Sequence, residues 1–390
     1  MTFFHSLSLA GFAATAISFG PGRMGFGLFV PEFKTTFSMS SSSVGFVSGL
    51  GFAGFFIGLL IAQYLLNRRG PEVPVLTGLT AATLGTGIVA LAPDVTVLAV
   101  GIFLAGSSAG FAWTPFNDAV HRKIRDVNRP TALSQISTGT SAGIALAGAV
   151  ALAMVLLGYD WRVCWAVFSG ASALALVGNW AALRRVEKSP EAGTREHVQD
   201  LLHFAALPIF GIALVHGITS AIYISFAADR FAHAGLSGEV DGAIPSLVFI
   251  FYGIFGLFGL LSNRLRDAFG LNGILRAILL ASAASLAFAA ILPGSWVGLV
   301  SSAGLQGITV MMTSAILAFW SERLFPSLPS LGFTVTLLAT AAGSVIGPVL
   351  AGLVFDGLGA VAMFVGTAAV PLCAAAILQT RVLVDRPLAW

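Results

Sequence analysis

Twelve apolar runs, each close to the length of a bilayer crossing and separated by short polar turns, limit this chain more than any other feature. They lie near 6–31, 43–66, 73–92, 95–120, 132–157, 161–183, 204–228, 243–263, 273–292, 296–320, 331–355 and 360–380. A helix needs ~20 apolar residues to cross the hydrocarbon core. Inside lipid every backbone amide and carbonyl must find a partner within the protein, which leaves helices or a closed barrel. Long continuous runs fit helices, and the breaks are turn-like, as in Arg68-Arg69-Gly70-Pro71, Ala92-Pro93-Asp94 and Leu292-Pro293-Gly294. The expectation is an all-α membrane protein of twelve transmembrane helices. Composition agrees, since 9% of residues are charged, whereas a soluble domain carries ~25%. Mean hydropathy is +0.92. The first run has no basic leader and continues directly into the second, so it reads as a mature helix rather than a signal peptide. Cys164 and Cys373 both fall in apolar runs and read as small buried hydrophobes, not as a disulfide or a metal pair.

Orientation follows from lysine and arginine. With a cytoplasmic N-terminus, the inner turns hold Arg68, Arg69, Arg122, Lys123, Arg125, Arg129, Arg184, Arg185, Lys188, Arg195, Arg264, Arg266, Arg323, Arg381 and Arg386. The outer turns hold only Lys34, Arg162 and Arg230. This asymmetry places both termini in the cytoplasm. It also explains a net charge of +3 without nucleic acid as a partner. A polar stretch from Arg184 to Asp200 divides the chain into residues 1–185, a cytoplasmic linker 186–202, and residues 203–390. A shift of 200 residues places Asn67 on Asp267, Gly70 on Gly270, Gly143 on Gly343 and Arg23 on Tyr223. The halves therefore read as parallel six-helix repeats, an arrangement in which the solute site lies between them.

Within the first run, Ser18-Phe19-Gly20-Pro21-Gly22-Arg23-Met24-Gly25-Phe26-Gly27 holds one charged residue. An arginine at that depth costs ~2.5–3.5 kcal/mol even on the lenient insertion scale, so it normally faces a bundle interior or a cavity. The flanking glycines and Pro21 weaken the regular helix, which is tolerated only where protein or cavity re-satisfies the backbone. Arg23 reads as the positive end of a binding site. The alternative is a structural arginine tied to neighbouring carbonyls or to Glu32.

The turn after the second run, Gln63-Tyr64-Leu65-Leu66-Asn67-Arg68-Arg69-Gly70-Pro71-Glu72, resembles the signature of the major facilitator superfamily, roughly Gly-x-x-x-Asp-Arg-x-Gly-Arg-Arg. Arg68 and Gly70 match, and Asn67 replaces the acid. The second half keeps acid and glycine in Asn263-Arg264-Leu265-Arg266-Asp267-Ala268-Phe269-Gly270. With the twelve runs and the repeat, the chain is identified as a member of that superfamily over nearly its whole length. The resemblance implies alternating access between two pseudo-symmetric six-helix bundles, a central cavity lined by helices one, four, seven and ten, and no cofactor. It also implies that these turns act as cytoplasmic latches, with Asn67, Arg68, Gly70, Asp267 and Gly270 involved. The drug-exporter marks, an arginine in helix four and a Gly-Pro pair in helix five, are missing. Such a pair occurs instead as Gly347-Pro348 in helix eleven.

In the four lining helices, polar and aromatic residues at helical spacing are Arg23, then Trp113 and Asn117, then His216 and Tyr223, then Gln306 and Thr313. His216 is the proton-coupling candidate, because its unperturbed pKa of about 6.5 permits loading and release. Asp118 and Arg122 at an inner helix end are gate candidates. Glu32 and Asp229 fall at outer helix ends, so coupling through a buried mid-membrane carboxylate is not supported. The expected function is secondary transport of a small organic anion, a carboxylate or sulfonate, into the cell, by a monomer in the bacterial cytoplasmic membrane. An exporter of amphipathic compounds, or a membrane assembly or sensor protein that keeps this fold, are the alternatives. An enzyme is not expected, because no nucleophile–base pair, phosphate loop or metal cluster is present in the sequence.

Overall fold

The computed structural model describes residues 3–184, 186, 206–236, 242–326 and 329–378. The expected linker 186–202, Val186 apart, lies outside these residues, as do Arg185, Arg381 and Arg386. The described residues are helical with short connections, and contain no strand.

The first span is built from α1 (Phe3–Ile17), a π turn (Ser18–Met24), α2 (Gly25–Leu28) and α3 (Val30–Phe37). Next come α4 (Ser41–Arg69) and α5 (Glu72–Ala90). The fourth span joins α6 (Val95–Ser107) to α7 (Trp113–Lys123) through a 3-10 turn. The first half closes with α8 (Arg129–Leu156) and α9 (Trp161–Leu183). The second half contains α10 (Leu207–Ala232), α11 (Ala243–Gly256), α12 (Ser262–Ile291), α13 (Trp296–Leu324) and α14 (Pro329–Ile377). Among the described residues nine helical stretches are long and apolar enough to cross a membrane. Two of them, Ala243–Ile291 and Leu331–Ile377, contain a reversal and so cross twice. With the interrupted first span this gives the twelve crossings expected, and the first span runs on to Phe37, beyond the expected residue 31.

Local chemistry sets the boundaries. Asp94 accepts from the amides of Thr96 and Val97, Asp160 from Arg162, and Ser40 from Ser43, each satisfying donors that a helix start leaves unpaired. Pro21 has no amide hydrogen to complete an α turn, and the chain widens there into the π turn. Reversals need glycine. Gly70 has φ 72° and ψ −173°, and Gly270 has φ 70° and ψ 167°. Residues with a Cβ rarely adopt this conformation. The two turns related by the 200-residue shift thus share one backbone geometry.

The same symmetry governs packing within each half. A Cβ on Gly143 would lie 2.2 Å from the Ala16 carbonyl oxygen, and one on Gly343 would lie 2.3 Å from that of Leu214. The fifth span crosses the first, and the eleventh crosses the seventh, backbone against backbone. Gly143→Val should therefore destabilise the fold by ~1–3 kcal/mol or more, lowering the melting temperature in detergent. Gly178→Ala, with nothing within 4 Å, should not.

Apolar clusters show how the halves meet. One large core contains Phe29 and Phe33 of the first span, Trp165 of the sixth, Phe226 of the seventh and Tyr252 of the eighth. It fuses both halves at the end away from the start of α1, here the distal end. At the opposite, terminal end the cores are separate: Leu7, Val75, Phe116 and Ile136 in one half, Ile209, Ile278, Ile316 and Trp320 in the other. A small cluster of Phe55, Leu59 and Ala109 with Ala341 joins the halves near Phe19, Leu337 and Leu338. The halves thus share one core at the distal end and keep separate cores at the terminal end, with only that small cluster between.

Candidate substrate site between the two halves

Arg23 sits in the π turn and is partly accessible, as is Phe19 four residues earlier. Its guanidinium carbon lies 4.2 Å from the ring centre of Phe55, 5.4 Å from Phe52 and 5.7 Å from Phe19. Each such cation–π contact is worth ~0.5–2 kcal/mol. Stacked rings cover the flat faces of a guanidinium and leave its edges to donate. The buried Nε has no hydrogen-bond partner. Among the described residues no carboxylate pairs with Arg23, and Glu32 has its own buried oxygen unpartnered. Aromatic contact is small beside the several kcal/mol that withdrawing a charge from water costs, so the charge stays uncompensated.

In the second half, α11 packs against α2, which starts two residues after Arg23, and Tyr252 of α11 shares a buried cluster with Met24. Tyr252 is 3% exposed, and its hydroxyl has no partner. Its ring centre is 6.3 Å from that of Tyr223, whose hydroxyl is hydrogen-bonded to Ser302 Oγ at 3.1 Å. His216 is partly accessible and lines a narrow crevice with Thr219, Ser282, Thr309 and Thr313. Gln306 is buried with Oε1 unpartnered.

Of the residues singled out in sequence, the structure brings His216 to Thr313 and sets Tyr223 into the buried layer behind Tyr252. Trp113 packs at the rim of the first half's terminal-end core, and Asn117 keeps an unpartnered Oδ1. Sequence reading missed Phe52, Phe55 and Tyr252, because helices two and eight were not among those surveyed. A signal was present: the 200-residue shift that pairs Arg23 with Tyr223 also pairs Phe52 with Tyr252.

The distal end is closed by contacts between the halves. Lys34 Nζ lies 2.9 Å from Asp229 Oδ2, with Phe355 beneath the ammonium. His233 Nδ1 is 3.2 Å from the other oxygen. Ser48 and Ser225 hydroxyls are 2.5 Å apart, and Asp356 accepts from the Ser41 and Ser42 amides at the start of α4. Asp229 is thus at a helix end, as expected, but its side chain is 3% exposed and bridges the halves.

At the terminal end, Asn67 is exposed and accepts from Gln63, while Arg68 lies over Tyr64. Asp267 pairs with neighbouring Arg266, and Asp118 with Arg122 one turn along α7. These partners lie within one half, while Gln63 also accepts from Thr334 of the other half at 3.4 Å.

Comparison with known proteins agrees with this architecture. The family described as "Uncharacterised MFS-type transporter YbfB" matches residues 15–380. The chain is 28% identical over 318 residues to the transcription regulatory protein OpdE of Pseudomonas aeruginosa, covering 80% of this chain and 76% of that one. It is 30% identical to monocarboxylate transporter 13 of Rattus norvegicus over 45% of this chain and 40% of that one. The fold is shared with a bacterial homologue of the lysosomal transporter Spinster, in an inward-facing, unoccupied conformation, at TM-score 0.75, 16% identity and 96% coverage of both chains. The nucleoside transporter NupG gives TM-score 0.72 at 14% identity, covering 97% of this chain and 98% of that one. The chain therefore belongs to the family described as MFS-type transporter YbfB, and with it to the major facilitator superfamily of membrane transporters.

Proposed function

We propose that this transporter carries a small organic anion, a carboxylate or sulfonate, inward across a bacterial cytoplasmic membrane, with protons as the coupling ion. One observation carries the reading: Arg23, beside the cluster that joins the halves, has donor edges without a partner, and among the described residues no carboxylate neutralises it. An anion seated there supplies the missing charge through a charge-assisted, fork-shaped contact. It also offsets the charge of a proton carried in the same step, so anion and proton support each other's binding. That gives His216 its proposed coupling role. The relative named as a monocarboxylate transporter supports the same solute class. The basic residues gathered at the terminal end support a cytoplasmic position for both termini, with the separate cores on the inner side. The chain is proposed to work as a monomer.

The test is Arg23→Gln, scored for membrane insertion and for uptake of labelled acetate, benzoate and methanesulfonate. Uptake of the transported anion should fall at least ~10-fold, the range of a lost charge-assisted contact. Wild-type uptake by a normally inserted variant would refute the reading. A groove between α1 and α9, lined by Leu9, Ala13, Leu174 and the buried Asn179, favours a second reading, export of amphipathic compounds from the membrane. A strain lacking the protein would then become drug-sensitive and keep growth on every carbon source.

A further inference from the structure

We propose that Tyr252 is the second ligand of the anion held by Arg23, and that the ring cluster around the guanidinium selects an aromatic monocarboxylate. The proposal rests on the anion reading above. A buried hydroxyl almost always has a hydrogen-bond partner, and one without needs a partner from outside the chain. Tyr252 is 3% exposed, its hydroxyl has no partner in the protein, and it shares a buried cluster with Met24, the residue after Arg23, whose own Nε is also unpartnered. Its neighbour Tyr223 is already bonded to Ser302 and has no such need. A phenol donates to a carboxylate oxygen, so one carboxylate can take the Arg23 edge from the first half and the Tyr252 hydroxyl from the second. Binding then favours the arrangement in which both halves reach the solute.

The rings decide the rest of the solute. Phe55, Phe52 and Phe19 surround the guanidinium at 4.2, 5.4 and 5.7 Å, and Phe19, like Arg23, is partly accessible. A flat apolar body continues that stack with its own ring. A second carboxylate would be withdrawn from water against phenylalanine faces, which penalises dicarboxylates. A short aliphatic acid would satisfy Arg23 and leave the rings without contact.

Purified protein in detergent, titrated with benzoate, acetate and succinate, tests this. Benzoate should raise the wild-type melting temperature and bind at least ~10-fold tighter than the other two. Tyr252→Phe should weaken benzoate ~10-fold, without lowering the melting temperature of the unliganded protein, since it removes a hydroxyl that has no partner. A merely structural tyrosine would show the opposite pattern. Phe55→Leu, which keeps bulk and loses the flat face, should reduce the preference for benzoate over acetate. Benzoate affinity unchanged in Tyr252→Phe, or succinate bound as tightly as benzoate, overturns the proposal. The anion reading survives that outcome if Arg23→Gln abolishes binding. Equal binding by wild type and Arg23→Gln, or no anion bound by wild type, overturns both.

Discussion

Replacing Lys34 with methionine should open the distal end of the transporter, and adding Asp229→Asn should close it again. Asp229 is 3% exposed, and Lys34 of the other half is 2.9 Å from it. Removing one member of a buried ion pair leaves the other charge uncompensated, at a cost of ~3–5 kcal/mol. That cost falls only on states in which the distal end is closed, because the two residues belong to different halves. A conformational equilibrium then shifts by ~100- to 4,000-fold towards distal-open states. Among the described residues His233, 65% exposed with Nδ1 3.2 Å from the other carboxylate oxygen, stays as a polar neighbour of Asp229, so the shift belongs nearer the lower figure. Lys34→Met with Asp229→Asn removes both charges, and the closed state is no longer penalised. The measurement is alkylation of Ser225→Cys by a maleimide in detergent, after Cys373, which is exposed and not buried as its apolar run suggested, has been replaced by serine. Ser225 is 1% exposed beside Ser48, so labelling should be slow, fast in Lys34→Met, and slow again in the double variant. Unchanged labelling in Lys34→Met would show that the ion pair does not hold the gate.

This gate also marks where the sequence stops being informative. The number of crossings was legible because bilayer thickness imposes one length on every apolar run, and Gly70 and Gly270 were legible as turn residues because few others tolerate their φ. The weakness of the first helix was legible from Pro21 and its glycines, although nothing local said that the chain would widen there rather than kink. Asp229 was placed correctly at a helix end and its surroundings were not foreseen. Whether a terminal carboxylate meets water or a lysine depends on a contact 195 residues away. The aromatic setting of Arg23 was hidden for a related reason: 31 phenylalanines in one chain give no sign of which rings face a guanidinium. Helical spacing put Trp113 and Asn117 on one face, which is a statement about the helix and not about its neighbours. Symmetry was the one non-local clue that sequence did contain, and applied to Phe52 it leads to Tyr252.

Gly27→Val should abolish transport while leaving a folded protein that still binds its solute. A Cβ on Gly27 would lie 1.9 Å from the Ile224 carbonyl oxygen, far inside van der Waals contact and against backbone that cannot swing aside. The same close approach recurs where Gly45 meets Pro348 and where Gly352 meets Ser41, with distances of 2.2 and 2.5 Å to the carbonyl oxygens. These contacts all join opposite halves at the distal end, unlike the Gly143 crossing within one half. A side chain at Gly143 therefore strains every conformation, whereas one at Gly27 strains only the distal-closed state. The cycle cannot complete without that state, and uptake should fall at least ~100-fold, since overpacking of more than ~3 kcal/mol against fixed backbone already exceeds such a factor. Ser225→Cys labelling should be as fast as in Lys34→Met, but here Asp229→Asn should not slow it, because the obstruction is steric. Wild-type uptake by Gly27→Val would mean that the first and seventh spans need not meet at this point during transport. Fast labelling with retained anion binding would instead separate the two devices at the gate: a charge pair that biases closure, and a glycine that permits it.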